Sequence, residues 1–76
     1  METTLQRPLD ALNEAKGKKV LVELKSKRVY SGTLMAFDIH PNIVLDSVSE
    51  IEDGKVTKNL GRVFIRGDAI ISISPE

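Results

Sequence analysis

The feature that most constrains this chain is a change of apolar period at Lys19. Before it, Leu5, Leu9 and Leu12 fall at i, i+4 and i+7, the stripe of one helix face. Beyond it come short runs rich in β-branched and aliphatic residues, each bounded by a polar or glycine-containing turn. Pro8 suits a first helical position, where a missing N–H loses no partner. Gly17 stands just past the stripe, among Lys16, Lys18 and Lys19, where cations favour a helix C-terminus. The pattern predicts a helix over about 5–16, too short to be stable unless it packs against the strands.

Five strands are then expected. Lys19–Leu24 is the first, and Lys25-Ser-Lys-Arg28 is a polar turn. The second runs from Val29 to about Asp38, with Gly32 inside it, where an interior glycine marks a sharp bend or bulge. Ile43–Ser49 is the third, entered through Pro41-Asn42. Glu52-Asp-Gly-Lys55 carries the Asp-Gly hairpin signal, with Val56 and Thr57 starting a return strand. Leu60–Ile65 forms the body of the fourth strand. Arg66-Gly-Asp68 is a tight turn whose glycine permits positive φ, and Ala69–Ser74 is the fifth strand, stopped by Pro75. A short N-terminal helix followed by five short strands predicts a mainly β fold, a small and strongly bent barrel. Residues 1–76 read as one domain without repeats or low-complexity segments.

A chain of 76 residues buries only about 60% of its unfolded surface, so its core needs support. The absence of cysteine removes disulfides and thiolate metal sites, and fits a reducing compartment. The one histidine, His40, leaves no cluster of imidazole ligands, so neither a metal nor another cofactor is expected. Self-association is the remaining means of support. Basic and acidic side chains balance at 11 each, so a nucleic-acid site would have to be local. No apolar run approaches the roughly 20 residues of a membrane span, and METTLQRPLD lacks an apolar signal core. A soluble cytoplasmic protein is the expectation.

The last two strands carry apolar residues on both faces: Val63, Phe64 and Ile65, then Ile70, Ile71 and Ile73. A strand with one wet face should alternate. Either a second chain covers the outer face, pairing with an open edge, or the bend of a tiny barrel buries both faces within one subunit.

Two turns could carry chemistry. Asp38-Ile-His-Pro-Asn42 places a carboxylate, an imidazole and an amide within five residues, and alternation on extended backbone would turn all three to one side. An amide offers donor and acceptor to a base edge, and an imidazole can stack on a splayed base. The plainer reading is that Asp38 and Asn42 cap a turn, which is the commoner use of such residues. In Arg66-Gly-Asp68, Arg66 could stack on a base or meet phosphate, with Asp68 holding the loop. The alternative there is an ordinary hairpin turn with a surface ion pair. Catalysis is not expected: no serine has a nucleophile-elbow context, and no glycine-rich phosphate loop precedes a helix.

These two turns and their flanking strands resemble the Sm and Sm-like family. The first Sm motif resembles Lys19–Ser49, with Gly32, the Asp38–Asn42 turn and Ile43-Val-Leu45 in order. The second resembles the stretch of about 60–74 that opens with Leu60-Gly-Arg-Val-Phe-Ile-Arg-Gly-Asp-Ala69, and Arg7-Pro-Leu-Asp10 resembles the opening of archaeal members. The resemblance implies an SH3-like barrel capped by the helix. It also implies a homo-oligomeric ring, usually heptameric, in which the fourth strand of one subunit pairs with the fifth of the next. Single-stranded, uridine-rich RNA would bind at the pore, one base per subunit, with other RNA-processing proteins as further partners. His40 and Arg66 would sandwich the base, Asn42 would hydrogen-bond its edge and Asp38 would orient Asn42. Gly67 and Asp68 would shape and support the loop that carries Arg66.

Two positions depart from the family pattern. Ser26-Lys27 stands where many relatives carry glycine, and Pro41 stands where an unbranched apolar residue is frequent. Proline stiffens its turn and pushes His40 toward extended geometry. A different class of function, an SH3-like scaffold that binds proteins, would need an aromatic-lined groove. Tyr30, Phe37 and Phe64 are the only aromatics available to build one.

Overall fold

In a computed structural model, residues 8–76 are described, with side chains from Asp10 onward. Leu5, Arg7 and the expected first turn of the helix lie outside the described residues. Helix α1 spans Pro8–Ala15, ending one residue before the expected limit. Leu12 and Ala15 pack against the core, as so short a helix requires. Beyond it the chain is tied at once to the second strand: Gly17 N–H donates to the Leu34 carbonyl at 2.7 Å, and Leu34 N–H to that of Lys18 at 3.0 Å.

The five strands are β1 (Lys19–Leu24), β2 (Val29–Phe37), β3 (Ile43–Glu52), β4 (Lys55–Ile65) and β5 (Ile70–Pro75). They form one antiparallel sheet in the order β4-β3-β2-β1-β5. β3 and β4 are longer than their apolar runs suggested. The Asp-Gly signal makes a tight turn, with Asp53 and Gly54 both at positive φ, so pairing continues down to Glu52↔Lys55. Pro75 does not stop β5 but is its last residue, opposite Val20. An edge strand tolerates a proline because the missing N–H would face outward.

Among the described residues the buried apolar core is small: Val20, Val22 and Leu24 from β1, Leu34 from β2, Ile43, Leu45 and Val48 from β3, and Ile65 from β4. β3 changes phase between Leu45 and Val48, moving inward-facing residues from odd to even positions. A bulge causes this: the register shifts there, and Ser47 adopts φ 52°. Opposite Val48 stands Gly61, also at positive φ. Gly32 of β2 meets the same level, for a Cβ there would lie 3.0 Å from both the Asp46 carbonyl oxygen and Val48 Cγ2. Three neighbouring strands therefore bend at one level, and a single sheet curls around its own core.

β4 and β5 are the two edges of this sheet. Curling does not bury their outer faces: Phe64 remains 76% exposed and Ile71 58% exposed. Of the two readings of their double-sided apolarity, burial within one subunit is therefore not what the fold does.

Candidate nucleic-acid interface

The turn between β2 and β3 is the tip of a hairpin. Phe37 and Ile43 pair at its base, and Asp38 N–H donates to the Asn42 carbonyl at 3.1 Å. The loop does not run extended, as simple alternation of Asp38, His40 and Asn42 would have it. It curls around the Asp38 carboxylate, whose Oδ1 accepts the N–H groups of both His40 and Asn42 at 2.9 Å. Asp38 Oδ2 accepts from Asn42 Nδ2 at 3.1 Å. Asp38 is thus a turn cap and an anchor for the Asn42 side chain together. These N–H groups, that of His40 first and that of Asn42 next, hold the Asp38 carboxyl below its ordinary pKa despite its exposure.

The second loop is built differently from its expectation. Arg66 has extended backbone, and Gly67–Ala69 form one 3₁₀ turn, closed by Ala69 N–H to the Arg66 carbonyl at 3.0 Å. Gly67 is not at positive φ. It is needed because nothing larger fits: a Cβ there would stand 2.6 Å from the His40 carbonyl oxygen and 2.9 Å from Pro41 N. The loops touch backbone to backbone at this point. One further bond fastens them, from Gly67 N–H to Asn42 Oδ1 at 2.9 Å across 25 residues of sequence.

The expected site residues are accordingly assembled in one place. Asp38 holds His40 and Asn42, Asn42 holds Gly67, and Arg66 leads into Gly67. Arg66 Nη2 pairs with Asp68 Oδ2 at 3.2 Å, with the two side chains 84% and 68% exposed. Such a pair lies in full solvent and contributes little to stability, so the guanidinium stays available. Among the described residues, the His40 ring has no hydrogen-bond partner. The Asn42 amide keeps one N–H and one lone pair beyond those already engaged.

An open apolar hollow of about 360 Å³ lies alongside, lined by Ala36, Val44 and Phe64 together with Asp38, Asn42 and Arg66. Sequence reading missed its wall. The signal was the cross-strand pair Val44↔Phe64, which is visible only once the register is known. Among the described residues no group of His, Cys, Asp and Glu could hold a metal ion.

A short N-terminal helix and five antiparallel strands in one bent sheet make the fold that this chain shares with solved Sm proteins. The LSM domain profile matches residues 10–75, nearly the whole chain, and the chain belongs to that family. A chain from Methanococcoides burtonii named as snRNP Sm-like is 45% identical over 69 residues, covering 91% of this chain and 96% of its own. Among solved structures, the Sm protein of Pyrococcus abyssi in complex with a uridine heptamer superposes with a TM-score of 0.89 at 44% identity. That match covers 93% of this chain and 100% of the other. A heptameric archaeal Sm protein gives a TM-score of 0.83 at 37% identity, covering 88% and 97%.

Proposed function

We propose that this chain is one subunit of a cytoplasmic, heptameric ring that holds single-stranded, uridine-rich RNA at its central pore, one base per subunit. Binding, not catalysis, is its activity, and the bound RNA is presented to other RNA-processing proteins. The observation that supports this reading is the bond from Gly67 N–H to Asn42 Oδ1, which fastens the loop that carries His40 to the loop that carries Arg66. His40 and Arg66 enclose the base from its two faces, and Asn42 reads its edge. Uracil offers an N–H donor between two carbonyl acceptors, whereas cytosine presents acceptor and donor in the reverse order. An amide free to flip could satisfy either. Asn42 cannot flip without losing its bonds to both Asp38 and Gly67, so its fixed orientation turns an adaptable group into a discriminating one.

The ring is supported by the exposed apolar residues of β4 and β5, which lie on the two sheet edges, and by the heptameric relatives. β4 of one copy pairs with β5 of the next, a head-to-tail contact that closes. Each Arg66 is paired with Asp68, so its planar guanidinium serves the base by stacking and directed N–H donation rather than by a net positive charge at the pore. Each stacked base contributes about 1–3 kcal/mol, and several such sites on one strand multiply into tight binding. Absence of cysteine supports a reducing, cytoplasmic setting.

Native mass spectrometry with and without a uridine oligomer tests the assembly, and anisotropy titration of Asn42→Ala and Arg66→Ala tests the site. Each variant is expected to remain a heptamer and to bind oligouridine at least tenfold more weakly. A monomer indifferent to RNA would support the protein-binding scaffold instead. Unchanged affinity in both variants would remove the site assignment.

A further inference from the structure

The exposed His40 ring has no hydrogen-bond partner among the described residues, so the space it can reach depends on where its backbone is held. That backbone is gripped on both sides of its α-carbon. On one side, His40 N–H is held by Asp38 Oδ1 at 2.9 Å. On the other, its carbonyl lies under Gly67, close enough that a Cβ would stand 2.6 Å from the oxygen, and the next residue is Pro41. Asp38 Oδ1 accepts the N–H groups of residues 40 and 42, and the residue it passes over is the one without an N–H to satisfy. Proline also disfavours the helical region for the residue before it, which narrows the backbone choices of His40.

We infer that Pro41 is a positioning residue for RNA: it locks the His40 backbone before a base arrives, so that the imidazole is already set for stacking. The inference rests on the stacking role proposed for His40. A flexible residue at 41 would leave the contacts possible but require the loop to be ordered at the moment of binding, which weakens affinity without removing any contact. Restricting one residue through proline is commonly worth about 0.4–1 kcal/mol, which corresponds to an affinity change of about two- to fivefold per site.

The test is a double-mutant cycle on the assembled protein, titrated with a uridine oligomer, with ring assembly checked by native mass. Pro41→Ala alone is expected to weaken binding by about two- to fivefold per occupied site. In a His40→Ala background, where there is no ring to position, the same substitution should change nothing. Equal losses in both backgrounds would mean that Pro41 merely keeps the loop folded, and the inference falls. No loss in either background, with His40→Ala itself weakening binding, also overturns it while leaving the stacking role intact. If His40→Ala binds as tightly as the parent, the stacking role fails and the inference fails with it.

Discussion

The loops at the two ends of β2 are held by different means. The pair around Asn42 and Gly67 is fastened by side chain to backbone bonds, one of which spans 25 residues, and by a backbone contact too close for a Cβ. The Lys25–Arg28 turn has Lys27 at φ 72° and is closed by local bonds between Leu24 and residues 27 and 28, with one backbone bond, Lys25 N–H to the Ala69 carbonyl at 2.9 Å, reaching the end of the Gly67–Ala69 turn. Its tie to the neighbouring hairpin is the ion pair of Arg28 with Glu50 at 3.8 Å, with the Arg28 side chain 60% exposed, which contributes little in water. One end invests its polar groups in a fixed shape. The other accepts a strained backbone and leaves its charges in solvent. A loop that must present groups to a ligand gains from being ordered beforehand, and a loop that only connects strands does not.

The contrast makes Gly67→Ala the most damaging of the substitutions that test it. An added methyl must displace the His40 carbonyl or part the two loops, at an expected cost of about 1–3 kcal/mol. Oligouridine affinity should fall at least tenfold, read by anisotropy, with the melting temperature lowered in parallel. A Gly67→Ala protein that binds as tightly as the parent would show that the loops need not touch.

Acid should separate the two ends more gently. The Asp38 carboxyl titrates below its unfolded-state value because it accepts N–H bonds in the folded loop. Its contribution is therefore present above the ordinary carboxylate range and is lost as the pH falls through the lower, folded value. Followed by NMR, the amide resonances of His40 and Asn42 should shift together in that acidic window while that of Lys27 stays still. If Asp38→Asn shows the same transition, some other group is responsible.

The smallest effect has the opposite sign. Lys27 occupies the left-handed region at a cost of about 1–2 kcal/mol for an L-residue, partly offset because glycine is freer in the unfolded chain. Lys27→Gly should therefore raise stability by about 0.5–1 kcal/mol in thermal unfolding and leave oligouridine affinity within about twofold. Weaker RNA binding in this variant would mean that the bond from Lys25 N–H to the Ala69 carbonyl carries the shape of this turn into the site.

Much of this arrangement is legible along the chain, at the positions where a few adjacent residues decide the outcome. Asp53-Gly54 makes the tight turn it announces. Asp38 caps its own loop through N–H groups two and four residues on. Gly32 bends β2 against β3. The misreadings are equally local in origin. Pro75 looks like a stop because proline breaks ladders, but on an edge strand it breaks none. Gly67 suggests a positive φ because most turn glycines adopt one, yet its reason lies in the backbone of another loop.

By itself, then, the sequence determined the helix-to-strand switch at Lys19, the five strand runs and the grouping of Asp38, His40 and Asn42, because periodicity and turn chemistry act over a few residues. The tertiary structure alone decided the phase change at Ser47, the openness of the β4 and β5 edges, and the bond from Gly67 to Asn42. Those depend on strand register. Register is set by bulges and by burial summed over segments far apart in the chain, so the residues that meet at the site carry no mark of each other until the sheet has curled.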